Sequence, residues 1–437
     1  MLPMKVAVPT LGCKANQYDS ACMEELMRQR GWEIFPPSGE ADVYIVNTCT
    51  VTSRSDTQCK QLLRRLRREH GNSLIIATGC YAQTDPESVA GVKGIDAVLG
   101  LQERCSIADT IEEIKRGGNQ GTPLVRVGST EGSRFWGPVS YSIRTRAFFK
   151  VQDGCDMRCT FCIVPKARGR SRSLEQEKVL DGIKSYQERG IAEVVITGIH
   201  LGGYGRDLSP KTNLGELVRL IKTAGPRIRI RLSSLDPQEV TLELLDLIAS
   251  TPSMCRHIHI SLQSGDRSIL SAMDRPSLPD VFSEAVLAAK RKMPDVCIGA
   301  DVIAGFPGES ENAFNNTYRL LDSLPVSYLH VFPFSVKRGT PAADMPGQVQ
   351  SVHITRRAEQ LRALGLRKRM DFYKSFIGET VNVLLEKTRD RRTGALAGYT
   401  SNYIRVLLNG PDDLAEKEVP MVIKGIENGI VWGMLAA

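Results

Sequence analysis

No apolar run in the 437 residues reaches the length needed to span a membrane. The opening stretch MLPMKVAVPT lacks the charged-then-apolar order of a signal peptide, so a cytoplasmic protein with no membrane association is expected. Internal repeats and low-complexity tracts are missing, which excludes a repeat architecture. A charged fraction of 24% against 42% hydrophobic residues excludes wholesale disorder. No strong charge of one sign exists either: 57 basic against 49 acidic residues leaves +8, compatible with a polyanionic partner without demonstrating one.

Cysteine, by contrast, is abundant, with eleven residues. In a reducing compartment that count points to metal or redox use rather than to disulfides. The length predicts two or three domains.

The hydrophobic pattern divides the chain into three parts. Over residues 1–125, strand-like runs at 4–10, 42–46, 74–77 and 95–99 alternate with helical stretches at 17–29, 57–69 and 107–115, which predicts an α/β doubly wound parallel sheet. Residues 117–141, rich in Gly, Ser and Pro, read as a linker. Over 141–374, six strand candidates at 147–151, 194–197, 227–233, 257–261, 297–303 and 328–332 predict an open, partial (β/α)6 barrel followed by a long basic helix. Short strands over 375–437 predict a small antiparallel β-barrel of a kind that holds single-stranded nucleic acid.

Cysteine spacing carries the chemistry. Cys155, Cys159 and Cys162 form C-x₃-C-x₂-C on one loop after the first barrel strand. Three such thiolates can hold three irons of a [4Fe–4S] cube, leaving the fourth iron open. Zinc normally takes a fourth Cys or His, and none lies nearby in the sequence. A second trio, Cys13, Cys49 and Cys80, follows three successive strands of the N-terminal part, where parallel strands bring their C-terminal ends to one edge. Buried hydrophobic thiols are the plainer reading, but strand ends favour a second cluster. Cys22, Cys59, Cys105, Cys255 and Cys297 read as structural thiols.

The C-x₃-C-x₂-C loop resembles that of the radical S-adenosylmethionine superfamily. The wider pattern, including Cys159-Thr-Phe-Cys-Ile-Val-Pro165 and Arg168-Gly-Arg-Ser-Arg-Ser173, resembles the methylthiotransferase family, whose third domain is called TRAM. The resemblance implies two [4Fe–4S] clusters, S-adenosylmethionine, a one-electron reductant of the flavodoxin or ferredoxin type, and a sulfur donor that it leaves unidentified. It places Thr197, Gly198, Ser233, Asp301 and Gly305, at barrel strand ends, against S-adenosylmethionine.

Thr10-Leu-Gly-Cys-Lys14 and Asn47-Thr-Cys-Thr-Val-Thr52 look like the branch that methylthiolates N6-threonylcarbamoyladenosine in the tRNA anticodon loop. Isopentenyladenosine and a ribosomal protein are the substrates of the other branches. RNA contacts are expected at Arg64, Arg65, Arg389, Arg391 and Arg392; Tyr399 and Tyr403 could stack on bases, with core packing the default.

Overall fold

The computed structural model describes residues 3–117, 121–131 and 145–436. The N-terminal unit is a parallel six-stranded sheet in the order Glu33–Phe35, Lys5–Ala7, Val43–Thr48, Leu74–Gly79, Ala97–Leu99, Leu124–Arg126. Val43–Thr48 is buried along its whole length, so it reads as a continuous apolar run rather than an alternating one. Met23, Met27, Ile107 and Ile111 cover one face of the sheet, and Cys59, Leu63, Leu66 and Val89 cover the other. Chain order reverses at Lys5–Ala7, which lies between the second and third strands in sequence. At such a switch point the loops leaving the C-terminal strand ends diverge and open a crevice.

The expected linker contains an element that composition hides. Leu124–Arg126 adds the last strand of the sheet, and its mostly exposed three residues give no apolar signal. The boundary expected at 125 falls inside this strand, and the one at 141 lies outside the described residues.

The central unit is a wall of six parallel strands. Arg146–Lys150, Glu193–Thr197 and Arg229–Leu232 form one run, and Ser234–Leu235, His257–Gln263, Cys297–Ala304 and Tyr328–Pro333 form the next. The third strand belongs to both runs and breaks at Ser233. One apolar core lies between this wall and its outer helices, and Tyr18 and Cys22 of the helix Lys14–Gln29 insert into it. The N-terminal sheet is thereby docked onto the wall.

Residues Thr380–Leu435 form a closed five-stranded barrel, antiparallel except where Arg405–Leu408 runs parallel to Ile430–Leu435. This barrel caps the N-terminal ends of the wall strands. Arg229 donates to the carbonyls of Tyr399 (2.8 Å) and Asn382 (2.9 Å), and Arg231 donates to that of Ser401 (2.9 Å). The guanidinium of Arg146 lies 4.1 Å over the Tyr399 ring, and that of Arg231 lies 4.9 Å over Tyr403. Tyr399 and Tyr403 stack on each other here, so they serve packing between units.

Candidate active site

Three loops of the N-terminal sheet converge at the switch point. Gly12 and Gly79 adopt φ of +106° and +98°, which L side chains rarely occupy. Each also lacks room: a Cβ on Gly12 would lie 2.8 Å from Cys49 Sγ, and one on Gly79 would lie 2.5 Å from the Thr48 carbonyl. Asn16 ties the loops together. Its amide donates to the carbonyls of Leu11 (2.8 Å) and Thr48 (2.9 Å), and its Oδ1 lies 3.8 Å from Cys80 Sγ and accepts from Arg168 at 2.6 Å. Cys13, Cys49 and Cys80 lie within electrostatic reach of one another. Cys59, expected to be only structural, sits directly behind this trio: its Sγ lies 3.4 Å from both the amide N and the carbonyl of Cys49.

The second trio occupies the loop after Gln152-Asp153. Gly154 has φ +70°, and a side chain there would run into the Arg170 carbonyl. Gln152 pairs with Ser173 and Asp153 with Arg172, while the Cys155 amide donates to the Gly169 carbonyl at 3.1 Å. The basic run Arg168–Arg172 is therefore the clamp that shapes the cysteine loop. Around the thiols, Arg275 Nη1 approaches Cys159 Sγ at 3.7 Å, and His200 hydrogen-bonds Cys155 and Glu239, the latter at 2.6 Å. Burial opposes protonation of His200, but these two partners raise its pKa to about 10.

The donor chemistry fits iron–sulfur clusters. Burial pushes the Cys80 thiol up to about 11 and Cys162 to about 12, and raises Cys49 and Cys159. Such thiols ionise in place when a metal supplies the compensating charge. Nearby cations favour the same outcome: Arg168 acts on Cys80, and Arg275 on Cys159.

Beside the second trio, two buried polar atoms fit a polar ligand such as S-adenosylmethionine. Ser233 Oγ and Asp236 Oδ2 have no hydrogen-bond partner among the described residues. Thr197 is buried next to them in the wall, and the close approach of Gln152 Oε1, 2.8 Å from where a Cβ would stand, requires glycine at 198. Gly305, at φ +82°, donates its N–H to Glu309 at 2.8 Å, and a Cβ there would lie 2.4 Å from Ile354 Cγ1. Asp301 faces the lumen of the wall, held by His259 Nε2 at 2.8 Å and His330 Nδ1 at 3.4 Å. Arg231, on the same strand as Ser233, pairs with Glu193 at 2.8 Å at the opposite end.

The two trios are joined by a buried charge cluster that sequence reading missed. Asp19 accepts from Lys150 at 2.5 Å and Arg168 at 2.8 Å, and pairs with Arg104 at 2.9 Å. Asp153 accepts from Lys150 at 2.6 Å and Arg168 at 2.9 Å, with Arg172 at 3.5 Å. Two carboxylates thus face four cations, a surplus of positive charge between two sets of thiols. The only sequence signal was Asp19 itself, an acid on the apolar face of a helix.

The expected RNA contacts are scattered. Arg64, Arg391 and Arg392 are exposed, and Arg65 lies 3.8 Å from Glu69. Arg389 is occupied within the small barrel, donating to Asp412 (2.8 Å) and to the carbonyls of Gly394 (2.9 Å) and Gly410 (2.8 Å).

Two families match the chain: the uncharacterized protein family UPF0004 over residues 5–100 and the radical SAM superfamily over 149–321. The chain is 34% identical to the "Threonylcarbamoyladenosine tRNA methylthiotransferase MtaB" of Bacillus subtilis, over 96% of this chain and 93% of that protein. It is 36% identical to the protein of that name from Aquifex aeolicus, over 93% and 97%. The "Ribosomal protein uS12 methylthiotransferase RimO" of Chloroflexus aurantiacus is 32% identical over 88% of each chain. Among solved structures, the radical S-adenosylmethionine methyltransferase TsrM of Kitasatospora setae superposes with a TM-score of 0.56 at 16% identity, covering 78% of this chain and 75% of that one, a likeness of fold.

Proposed function

The chain belongs to the methylthiotransferase family of radical S-adenosylmethionine enzymes, and from that premise we propose that it converts N6-threonylcarbamoyladenosine next to the tRNA anticodon into its 2-methylthio derivative. The observation that carries this reading is the pair of cysteine trios at the C-terminal edges of two docked sheets, joined through Arg168 and Asp153. The choice of substrate is supported by the names of the Bacillus and Aquifex relatives.

When bound, two [4Fe–4S] clusters and S-adenosylmethionine supply the one-electron cleavage and sulfur transfer that an unactivated aromatic C–H bond requires. The residues position that chemistry. Cys155, Cys159 and Cys162 hold the cluster that receives S-adenosylmethionine, with Gly198, Ser233 and Asp236 beside it. Cys13, Cys49 and Cys80 hold the auxiliary cluster, and Asn16 and Arg168 fix its loops. Arg275 anchors Asp236 at 2.5 Å while facing Cys159, so cofactor site and cluster move as one body. RNA enters as a single-stranded loop, which can present an unstacked base without duplex melting. Arg64, Arg391 and Arg392 contribute phosphate contacts, and the enzyme works in the cytoplasm with a flavodoxin- or ferredoxin-type reductant.

Anaerobic reconstitution with iron and sulfide, followed by turnover with dithionite, S-adenosylmethionine and tRNA bearing threonylcarbamoyladenosine, tests the reading. A 2-methylthio nucleoside seen by mass spectrometry together with 5′-deoxyadenosine is the expected result. 5′-Deoxyadenosine without that nucleoside would overturn the substrate assignment and turn the search to dimethylallyladenosine or a ribosomal protein.

A further inference from the structure

Tyr328–Pro333 is the last strand of the wall and, among the described residues, pairs on one side only, with Cys297–Ala304. Leu329 and Val331 pack into the apolar core, so alternation turns Tyr328, His330 and Phe332 toward the lumen. The first two have polar neighbours. Tyr328 Oη hydrogen-bonds His257 Nε2 and His259 Nδ1, both at 2.9 Å, lying across Gly299, where a Cβ would come 2.2 Å from its ring. His330 Nδ1 lies 3.4 Å from Asp301, its ring lies 4.8 Å from that of His259, and its side chain is 56% exposed. Phe332, the next residue on this face toward the C-terminal edge, is 42% exposed, and no other aromatic residue is exposed among those the structure describes. Burying a phenyl ring is a large gain that the fold leaves unused here.

The chain leaving this strand is tied to both cysteine trios. Toward the first, the Ser53 amide donates to Ser335 Oγ at 3.2 Å and the Ser53 hydroxyl donates to the Val336 carbonyl at 2.6 Å, four residues beyond Cys49. Lys337 pairs with Asp56 and hydrogen-bonds Thr50, the neighbour of Cys49. Toward the second, Phe334 packs edge-on against Phe306 at 5.5 Å, and Phe306 against Phe161, between Cys159 and Cys162, at 6.4 Å. The Ala342 amide donates to the Thr160 carbonyl at 2.9 Å. Phe332 therefore stands at the C-terminal edge of the lumen, a few residues from contacts to both cysteine loops.

Resting on the reading of tRNA as the substrate, we propose that Phe332 and His330 form the platform on which the target purine stacks once it leaves the anticodon loop. Rings at alternate positions on one strand face are the arrangement with which sheet surfaces hold unpaired bases. A base held by its face keeps its C2 edge free for the chemistry of the two trios. Stacking also tolerates any N6 substituent, because every base has a π face.

The test uses reconstituted protein, with iron content and melting temperature measured for each variant. The probes are an anticodon stem-loop bearing threonylcarbamoyladenosine and the same loop with an abasic site in its place, with equilibrium Kd as the readout. Phe332→Ala should weaken binding of the base-bearing loop roughly five- to 150-fold and leave the abasic loop unchanged. Phe332→Leu, apolar but without a π face, should fall with it, Phe332→Trp should bind as the wild type does, and His330→Ala should show a smaller base-specific loss. Because Phe332 is exposed, iron content and melting temperature should not move. Equal affinity of the wild type for both loops, equal weakening of both in Phe332→Ala, or wild-type binding by Phe332→Leu would each overturn the proposal. A wild type that converts the threonylcarbamoyl loop while Phe332→Ala shows no base-specific loss overturns this inference alone. A wild type that converts a dimethylallyl loop instead, with the same base-specific loss in Phe332→Ala, overturns the threonylcarbamoyl assignment and sustains the platform. A wild type that binds neither loop overturns the tRNA reading and the platform with it.

Discussion

Asp19→Asn should undock the N-terminal sheet from the wall without altering the shape of any side chain. Asp19 is fully buried and receives Lys150 at 2.5 Å, Arg168 at 2.8 Å and Arg104 at 2.9 Å. Asparagine keeps the volume but removes the charge, leaving four cations to share Asp153. Breaking a buried pair in this way costs about 3–5 kcal/mol, and no solvent screening reduces it here. Because Asp19 lies on the docked helix while Lys150 and Arg168 belong to the wall, the loss falls on docking rather than on either core. Hydrogen exchange over Lys14–Gln29 reads this directly: protection should drop roughly a hundredfold or more.

The pH dependence follows from the same contacts. Burial alone would raise the Asp19 carboxyl, but Arg104, Lys150 and Arg168 hold it well below the ordinary range. A carboxyl depressed in the folded state contributes stability that is complete above its unfolded value, near about 3.9, and that fades only as pH falls below it. Wild-type protection factors should therefore stay level from about pH 8 to about pH 5, and the asparagine variant should be lower throughout. Unchanged protection in the variant would refute the assignment of docking to this cluster.

The trios should separate by substitution: Cys159→Ala should abolish S-adenosylmethionine cleavage, and Cys49→Ala should stop methylthiolation while cleavage persists. Each variant should lose about four of about eight irons, and equal loss of cleavage would contradict the division of roles. Gly79→Ala should cost about 1–3 kcal/mol through its positive φ, with a further penalty from the Thr48 carbonyl, lowering both the melting temperature and the iron content. Gly31→Ala, also at positive φ but with nothing within 4 Å of its Cβ, should show the backbone cost without the steric one, a smaller fall in melting temperature than for Gly79→Ala and no loss of iron. Arg391→Ala with Arg392→Ala should reduce the salt-dependence slope of tRNA binding by about 2, measured by filter binding across ionic strengths. Arg389→Ala should instead destabilise the small barrel, because that side chain holds Asp412 and two carbonyls.

How far the sequence revealed this molecule depends on how far each signal reaches along the chain. The wall strands and the C-x₃-C-x₂-C loop were legible because period and spacing are local properties. Cys13, Cys49 and Cys80 were legible as a set only because a parallel sheet carries strand ends to one edge. Leu124–Arg126 was not, since three residues at a sheet edge, two of them exposed, leave no apolar pattern. Nor were the helices Leu242–Ser250 and Glu311–Ser323 marked out, although their apolar faces pack on the wall.

The deeper omission concerns charge. A basic run such as Arg168–Arg172 usually lies on a solvated face, and nothing local distinguishes Arg168, buried at 1% exposure, from exposed Arg170. The distinction comes from Asp19, 149 residues earlier, and from Asn16, 152 residues earlier, which meet Arg168 only when two sheets dock. That dependence also argues for what the cluster does. A chemistry divided between two cysteine trios needs their separation held constant, and apolar contacts between sheets tolerate sliding, whereas a guanidinium with three fixed acceptors does not. Arg168 reaches Asp19 and Asn16 on one side and Asp153, two residues from Cys155, on the other. Lys150 also bridges Asp19 and Asp153, but Arg168 alone adds Asn16 to that pair, and a lysine in its place would restore the charge without the planar fork that meets all three acceptors.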